Sequence, residues 1–124
     1  MTLTRQNYEA LGLPVGPYTH AVRHADTLYT SGFTAFGTKA HMSGAGEQTS
    51  AVLEHLAYIA KQHDRTLADL IKVTVFITDA ADIPAIRDAL EAGYGSAVPA
   101  SSLVMVSGLF APELRVEIEA VFGL

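Results

Sequence analysis

The chain has 124 residues, of which 49% are hydrophobic, and it carries a formal net charge of −5. Its length suits one domain with a hydrophobic core, and we expect a single domain over residues 1–124. The sequence contains no cysteine, which excludes disulfides, thiolate metal sites and a cysteine nucleophile. No basic run accompanies the negative charge, so a surface that binds nucleic-acid phosphates is not expected.

The hydrophobic content is high for so small a domain. A short chain has a large surface relative to its volume, so it cannot bury that much apolar area alone. A second surface buried against copies of the chain would accommodate it, and we expect a homo-oligomer. The N-terminal segment MTLTRQNYEALGLP has no apolar signal core, and no apolar run is long enough to span a bilayer. We therefore expect a cytoplasmic protein without a membrane partner.

The first predicted elements are a hairpin and a helix. Two strands, Thr19–His24 and Thr27–Phe33, flank a two-residue turn, and their alternation favours a β-hairpin. A glycine-containing loop, AFGTKAHMSGAG, follows. Apolar residues then recur at the helical period from Glu47 to about His63, and the acidic side chain of Glu47 suits the positive N-terminal end of a helix.

A buried strand and a second helix come next. Leu70–Thr78 is β-branched and almost entirely apolar, which predicts a central strand covered on both faces. Asp82 is placed to cap a helix over about Pro84–Ala92, which Gly93 and Gly95 are expected to end.

Two more strands, Ser101–Val106 and Leu114–Val121, complete the predicted order β-β-α-β-α-β-β. This order predicts an α+β fold, with one mixed sheet and both helices on one of its faces. The other face would remain available for contact between copies of the chain.

The last predicted strand alternates between two sets of side chains. One side carries Leu114, Val116, Ile118 and Ala120, and the other carries Arg115, Glu117, Glu119 and Val121. The simpler interpretation of the charged side is a solvated face. The alternative is that one carboxylate faces a cleft and orients a water molecule, because partial burial can raise a carboxyl pKa toward the working pH.

The five histidines do not have metal-ligand spacing. His20 and His24 are four residues apart on one strand, or roughly 13 Å. His55 and His63 are eight apart on one helix, or roughly 12 Å. Neither pair can share one ion, so no metal site is expected. His20 follows Tyr18 and could form a pocket wall, although surface exposure or packing is the simpler interpretation.

Four motifs resemble one family in order and spacing. They are GPYTHAVRHADTLYTSGF, LIKVTVFITDAADIPAIRDAL, PASSLVMV and VEIEAV, and they extend from Gly16 to Val121. Together they resemble the Rid family, also called the YjgF or L-PSP family. The resemblance implies a chorismate-mutase-like α+β domain that forms a homotrimer with a cleft at each subunit interface. It also implies hydrolysis of reactive imines and enamines to ketones and ammonia, without cofactor or metal.

The resemblance implies roles for several residues. Tyr18 matches the family's Gly-Pro-Tyr tyrosine, a pocket wall with a phenolic donor, and Glu117 matches the carboxylate that orients the water. These two are the expected catalytic residues. Ser31 and Gly32 match a Ser-Gly turn that lines the cleft, although an ordinary strand-end hydroxyl explains Ser31 equally well.

Ser101 departs from the family pattern. The amino-acid-imine deaminases read Pro-Ala-Arg-Ser where this chain reads Pro-Ala-Ser-Ser, with Ser101 in place of the arginine. That arginine holds the substrate carboxylate, and a lost charge-assisted pair costs roughly 2–4 kcal/mol, or about 30- to 1000-fold in kcat/KM. The substitution predicts a substrate other than an ordinary 2-imino acid.

Other departures make the expected substrate pocket more apolar. Phe33 and Leu103 stand where the deaminases more often carry a small or polar residue, and Phe36 lies nearby in sequence. Arg87 occupies a position where the deaminases often carry asparagine. It could replace the missing anion anchor, although a solvated side chain on an amphipathic helix is the simpler interpretation.

Three functions remain open from the sequence. The first is a Rid-like hydrolase for a neutral imine or enamine. The second is a non-catalytic module that binds a small metabolite or a partner protein in the cleft. The third is RNA cleavage, an activity attached to the family by an older name, against which the net charge of −5 argues.

Overall fold

Six strands form one mixed sheet, and two helices pack on one face of it. The computed structural model describes residues 2–124. The strands are β1 (Leu3–Gln6), β2 (Ala21–His24), β3 (Thr27–Thr30), β4 (Leu70–Ile77), β5 (Ala100–Met105) and β6 (Val116–Gly123). The helices are α1 (Ala45–Gln62) and α2 (Ile83–Tyr94), and three single-turn 3₁₀ helices lie between elements.

The sheet order is β1-β2-β3-β6-β4-β5. The last strand, β6, therefore lies in the middle, antiparallel to both β3 and β4. Strand β4 pairs with β5 in parallel through the crossover helix α2. Because β5 has a partner on one side only, it forms one edge of the sheet, and β1 forms the other.

The covered face of the sheet carries the hydrophobic core. In β6 the alternating residues on this face are buried, as the sequence predicts: Val116, Ile118, Ala120 and Phe122. They join apolar residues of β3, β4 and α1 in one core cluster. Burial of this continuous apolar surface is the main favourable contribution to folding.

Strand β4 is covered on one face only within the protomer, which corrects the prediction of two covered faces. Val73, Val75 and Ile77 are fully buried under the helices, whereas the residues between them are half-buried. Both helices lie on the same side, so within residues 2–124 no helix covers the second face.

The two helices begin and end close to their predicted limits. Asp82 is the N-cap of α2, but its side chain binds Arg115 rather than the helix backbone. Gly95 ends α2 with a positive φ of 62°, whereas Gly93 lies inside the helix. A Cβ at position 93 would collide with Leu53, so Gly93 lets α2 pack closely on α1. Within residues 2–124, no helix has the length and hydropathy needed to cross a membrane.

Strand β1 is absent from the prediction because its sequence, LTRQ, shows no buried face. Its first three residues are exposed, and it is held by backbone pairing from Leu3 opposite His24 to Gln6 opposite Ala21. A strand stabilised by ladder hydrogen bonds alone leaves no hydrophobic pattern in the sequence.

Strand β3 is shorter than predicted because the backbone bulges after Thr30. Tyr29 pairs with Val121, and Phe33 pairs with Ile118. The chain therefore advances four residues after β3 while β6 advances three, so one extra residue lies on the β3 side. The Oγ1 of Thr30 accepts the backbone N–H of Ala120 at 3.0 Å and takes the place of a ladder bond. An extra residue of this kind bends a strand away from its partner and re-aims its side chains.

Candidate active site

A cavity of about 460 Å³ opens where the bulge separates β3 from β6. Its walls come from the segment before β2, the segment after β3, the loop between β5 and β6, one residue of α1 and one of β6. The apolar lining includes Leu11, Leu13, Val15, Phe33, Phe36 and Phe110. The polar groups are on Tyr18, His20, Ser31, His55 and Glu117. A mostly apolar pocket with a few convergent polar groups is the usual form of a small-molecule site.

Glu117 brings a carboxylate into this cavity across the backbone of Gly32. A Cβ at position 32 would lie 2.7 Å from Oε2 of Glu117, so the carboxylate occupies the space that any larger residue would fill. The Glu117 side chain makes no hydrogen bond to another group of residues 2–124. Burial raises the pKa of Glu117, and the nearby charge of Glu119 raises that pKa further. A carboxylate with a raised pKa and a free oxygen is suited to accept a proton.

The Ser31–Phe33 segment is fixed by backbone bonds on both sides of the bulge. The N–H of Ser31 donates to the carbonyl of His20, and Phe33 exchanges two bonds with Ile118, at 2.9 and 3.0 Å. The Ser31 hydroxyl donates to the carbonyl of Thr19, so its oxygen keeps only acceptor capacity toward a ligand. The N–H of Gly32 donates to no group within residues 2–124 and is available as a donor beside Glu117.

Tyr18 lies at the rim of the cavity and is 45% exposed. Its phenolic oxygen accepts a long bond of 3.4 Å from the N–H of Val15. A contact of that length is weak, so the hydroxyl is free to donate to a ligand. The geometry is compatible with the pocket-wall role that the resemblance implies.

His20 is a buried part of the cavity wall, only 4% exposed. Its Nδ1 accepts the backbone N–H of Tyr8 at 2.9 Å, and the Tyr8 and His20 rings stack at 6.0 Å. Burial lowers the pKa of His20. A neutral ring whose Nδ1 accepts a hydrogen bond carries its proton on Nε2. Tyr8 was missed from the sequence because its partner His20 is twelve residues away, in the segment before β2.

The mouth of the cavity is held by contacts between two loops. Phe36 lies 5.0 Å from Phe110 and 4.9 Å from the ring of His41. Nε2 of His41 lies 2.7 Å from the carboxylate of Glu113, which joins the loop after β3 to the loop before β6. These contacts fix the position of both phenylalanines.

Buried Gln48 connects the same two loops from beneath. Its side-chain nitrogen lies within 3.1 Å of the carbonyls of His41, Ser43 and Glu113, and its oxygen accepts the N–H of Arg115 at 2.9 Å. The sequence gives a weak signal for Gln48, which with Thr49 is one of two polar residues on the otherwise apolar buried face of α1.

Three predicted site residues lie away from the cavity of their own protomer. Ser101 and Leu103 are on exposed β5, where they pair with Val73 and Val75 of β4. Arg87 is exposed on α2 and forms no salt bridge within residues 2–124. The structure therefore brings together Tyr18, Ser31, Gly32, Phe33 and Glu117, and separates them from Ser101, Leu103 and Arg87. Within residues 2–124, no three potential ligand side chains are grouped as for a metal ion.

The fold and cavity define an α+β domain with a partly buried carboxylate in a mostly apolar pocket. Residues 9–122 match the family described as Endoribonuclease L-PSP, and the chain belongs to this family. This match confirms the Rid-family resemblance seen in the sequence, and similarity to solved structures of the family confirms the α+β, chorismate-mutase-like fold.

Three relatives illustrate the similarity. A 2-iminobutanoate/2-iminopropanoate deaminase from Dermatophagoides farinae is 30% identical over 111 residues, 87% of this chain and 86% of that protein. The 3-aminoacrylate deaminase RutC of Acinetobacter baylyi is 31% identical over 87% of both chains. A solved structure of a Pseudomonas aeruginosa protein of unknown function superposes with a TM-score of 0.88 at 32% identity, covering 99% of this chain and 93% of that one. Two of these relatives are therefore named as deaminases of imine or enamine compounds.

Proposed function

We propose that this protein hydrolyses a reactive imine or enamine to a carbonyl compound and ammonia, with Glu117 as the group that orients and deprotonates water. The observation that carries the proposal is the Glu117 carboxylate, which lies in an apolar cavity across Gly32 and makes no hydrogen bond to residues 2–124. The deaminase relatives support the reaction class.

The reaction balances with water alone. The water oxygen bonds to the imine carbon while the carboxylate of Glu117 accepts its proton and passes it to the imine nitrogen, which gives a carbinolamine. A second proton moves from the new hydroxyl to nitrogen through Glu117. The C–N bond then breaks, and ammonia leaves the ketone. General acid–base catalysis by a positioned carboxylate contributes about 10²- to 10⁴-fold.

Neighbouring groups supply complementary contacts for the imine. In this proposal the free N–H of Gly32 and the hydroxyl of Tyr18 donate hydrogen bonds, while the oxygen of Ser31 accepts the N–H of the imine. Holding the reacting carbon beside the carboxylate lowers the entropic cost of water addition. No metal or cofactor is part of this scheme.

The substrate in this proposal lacks an α-carboxylate. Ser101 offers one neutral hydroxyl in place of a carboxylate-binding arginine, and among residues 2–124 no lysine or arginine lines the cavity. An anionic substrate would lose its hydration in an apolar cavity without a compensating charge. Arg87 is exposed on the outer side of α2, which supports a solvated role for it rather than a substitute anchor.

We also propose that three copies assemble and that β5 of a neighbouring copy brings Ser101 and Leu103 to the cavity. All six residues of β5 are exposed, including the apolar Leu103, Val104 and Met105. An exposed apolar edge strand favours association, because its unpaired backbone groups and side chains otherwise contact water.

The experiment compares the wild type with Ser101→Arg on two imines generated in solution, one with an α-carboxylate and one neutral and aromatic. We expect the wild type to accelerate loss of the neutral imine only, and the variant to gain about 30- to 1000-fold in kcat/KM for the carboxylated one. Ser107→Arg, at an exposed position after β5, is the matched control and should gain nothing. The proposal fails if the wild type accelerates neither imine.

A binding module is the second candidate, and the apolar mouth around Phe36 and Phe110 favours it. A ligand that binds only the native state raises thermal stability whether or not it reacts. Stabilisation by ketones without turnover of either imine would therefore support binding over hydrolysis.

RNA cleavage, which the family description names, receives no support from the charge distribution. The net charge is −5, and within residues 2–124 the cavity has no basic side chain other than histidine. Binding to a nucleic-acid backbone requires several Lys or Arg contacts. An RNA-cleaving activity that persists in Glu117→Gln would be traced to contamination.

A further inference from the structure

Two histidines flank one phenylalanine in the wall of the cavity. The ring of Phe33 lies 5.4 Å from the ring of His20 and 5.9 Å from that of His55. These side chains come from three separate elements: the segment before β2, the segment after β3, and α1. All three line the cavity that contains Glu117.

His20 presents a hydrogen-bond donor of known position. Its Nδ1 is occupied by the N–H of Tyr8, and the backbone N–H of His20 is anchored on Oδ1 of Asn7 at 2.9 Å. The ring nitrogen Nδ1 and the backbone of His20 are therefore both anchored, and Nε2–H is the remaining polar group of the ring. That group has no hydrogen-bond partner within residues 2–124. Fixed donors of this kind give specificity because they lose little conformational entropy on binding.

His55 is a second imidazole without a partner. Neither of its ring nitrogens bonds to another group of residues 2–124. Burial lowers the pKa of His55, and the neighbouring His20 lowers that pKa further, although Glu54 acts in the opposite direction. Both rings are therefore neutral at physiological pH, and a neutral imidazole can donate at one nitrogen and accept at the other.

We infer that His20, Phe33 and His55 form a ring-binding subsite that selects a substrate with a neutral aromatic ring bearing a hydroxyl or similar acceptor group. The inference rests on the proposed function, since it describes the part of the substrate remote from the C=N bond. The substrate ring packs on Phe33, and its polar substituent accepts the Nε2–H of His20. A hydroxyl substituent can also exchange a hydrogen bond with His55.

The surroundings of the subsite exclude charged substituents. Leu11, Leu13 and Val15 line the same cavity, and neither neutral imidazole compensates a full charge. An aliphatic group of equal size would bury similar area but lack both the ring contact and the hydrogen bond.

The experiment measures dissociation constants of product ketones by NMR titration. The ligands are acetophenone, its meta- and para-hydroxy derivatives, and cyclohexyl methyl ketone. For the wild type, we expect one hydroxy derivative to bind about fivefold more tightly than acetophenone, which is the effect of one hydrogen bond. Acetophenone should in turn bind more tightly than the cyclohexyl ketone.

The His20 variants separate donation from packing. His20→Asn keeps an acceptor near the position of Nδ1 for Tyr8 but removes the Nε2–H donor, and should reduce the preference to less than about twofold. His20→Gln places an amide N–H near the position of Nε2, so this variant should restore the preference for the hydroxy derivative. His24→Asn, at the exposed end of β2, is the matched control and should keep the wild-type preference.

Phe33→Leu and His55→Leu test the subsite independently if position 20 does not tolerate change. Phe33→Leu should weaken acetophenone binding by about threefold or more but leave cyclohexyl ketone binding nearly unchanged. His55→Leu should reduce the preference for the hydroxy derivative.

Equal binding of acetophenone and both hydroxy derivatives to the wild type, or a preference that survives His20→Asn, would overturn the subsite. Ketone binding needs no turnover, so the two proposals fail separately. If the protein prefers the hydroxy derivative but hydrolyses no imine, the proposed reaction is refuted and the subsite stands. If it hydrolyses the imine but shows no preference for the hydroxy derivative, the subsite is refuted and the reaction stands.

Discussion

The cavity around Glu117 and strand β5 both carry residues that the sequence assigns to one site, and their surroundings differ. Glu117 is partly buried, fits across Gly32 and faces positioned polar groups of its own protomer. Ser101 and Leu103 lie on a strand whose six residues are all exposed. Under the proposed function, a single chain therefore positions the acid–base group in its own cavity, whereas the proposed specificity residues lie on an exposed edge strand and need a second copy to reach a cavity.

The largest effect is expected at Glu117. Glu117→Gln keeps the shape of the side chain but removes the proton acceptor, so kcat for the neutral imine should fall by about 10²- to 10⁴-fold. Steady-state kinetics and size-exclusion chromatography would be measured together. Glu119→Gln, two residues along the same face of β6, should retain most of the activity. Equal loss in the two variants would remove the special role assigned to Glu117.

Gly32→Ala tests the close contact in the cavity. The new methyl group would lie only 2.7 Å from Oε2 of Glu117, so the carboxylate must move away from its present position. Displacement of a catalytic group by about 1 Å can cost about 10²-fold, and we expect a 10- to 100-fold fall in kcat. Gly108→Ala is the control, since a Cβ there meets no atom within 4 Å. An unchanged kcat would mean that the position of Glu117 is not critical.

Val104→Glu tests the open edge at β5. An unpaired carboxylate buried at the proposed interface would carry a large desolvation cost. The variant should therefore dissociate from three copies toward one, and its native molecular mass should fall by about threefold. Light scattering after size-exclusion chromatography measures this directly. Ala92→Glu, on the exposed side of α2, adds the same charge elsewhere and should leave the mass unchanged. A monomeric wild type would contradict the proposed assembly.

The smallest effect concerns pH. Burial raises the pKa of Glu117, so the acid limb of kcat/KM should lie above the ordinary carboxyl value of 4.5, with activity rising as Glu117 ionises. Glu119 contributes to that shift, and Glu119→Gln should therefore move the limb to lower pH. An acid limb at 4.5 or below in the wild type would contradict this account.

The same raised pKa affects stability. A folded-state pKa above the unfolded one stabilises the protein fully at low pH, and this stabilisation is lost as pH rises through the folded value. Glu117→Gln avoids burying the charge, so its Tm at neutral pH should exceed that of the wild type by about 1–3 °C. The difference should disappear on acidification. Thermal melts at several pH values measure it.

The sequence predicted best those helices and strands whose buried faces produce a periodic pattern of apolar residues. The two helices, β4 and β6 follow from apolar periodicity, and the prediction that Glu117 and Val116 face opposite ways is confirmed. Strand β1 was missed because backbone pairing alone holds it. The bulge after Thr30 was missed because it is defined by pairing with β6, a strand distant in sequence, which no local pattern records.

The candidate site was predictable only in part for a related reason. Tyr18, Ser31 and Glu117 could be named from motifs, but Tyr8 and Gln48 position their neighbours through contacts distant in sequence. Sequence also does not tell whether Ser101 serves its own protomer or another, since that depends on geometry between copies.

The exposed edge of β5 has a consequence for how the protein is made in cells. A newly folded protomer presents the apolar side chains of Leu103, Val104 and Met105 beside unpaired backbone groups. Such an edge pairs readily with strands of other chains. In the proposed trimer another copy covers this edge, so its closure depends on protein concentration, and low expression leaves the edge open longest. Chaperones and proteases would act on the open form during that interval.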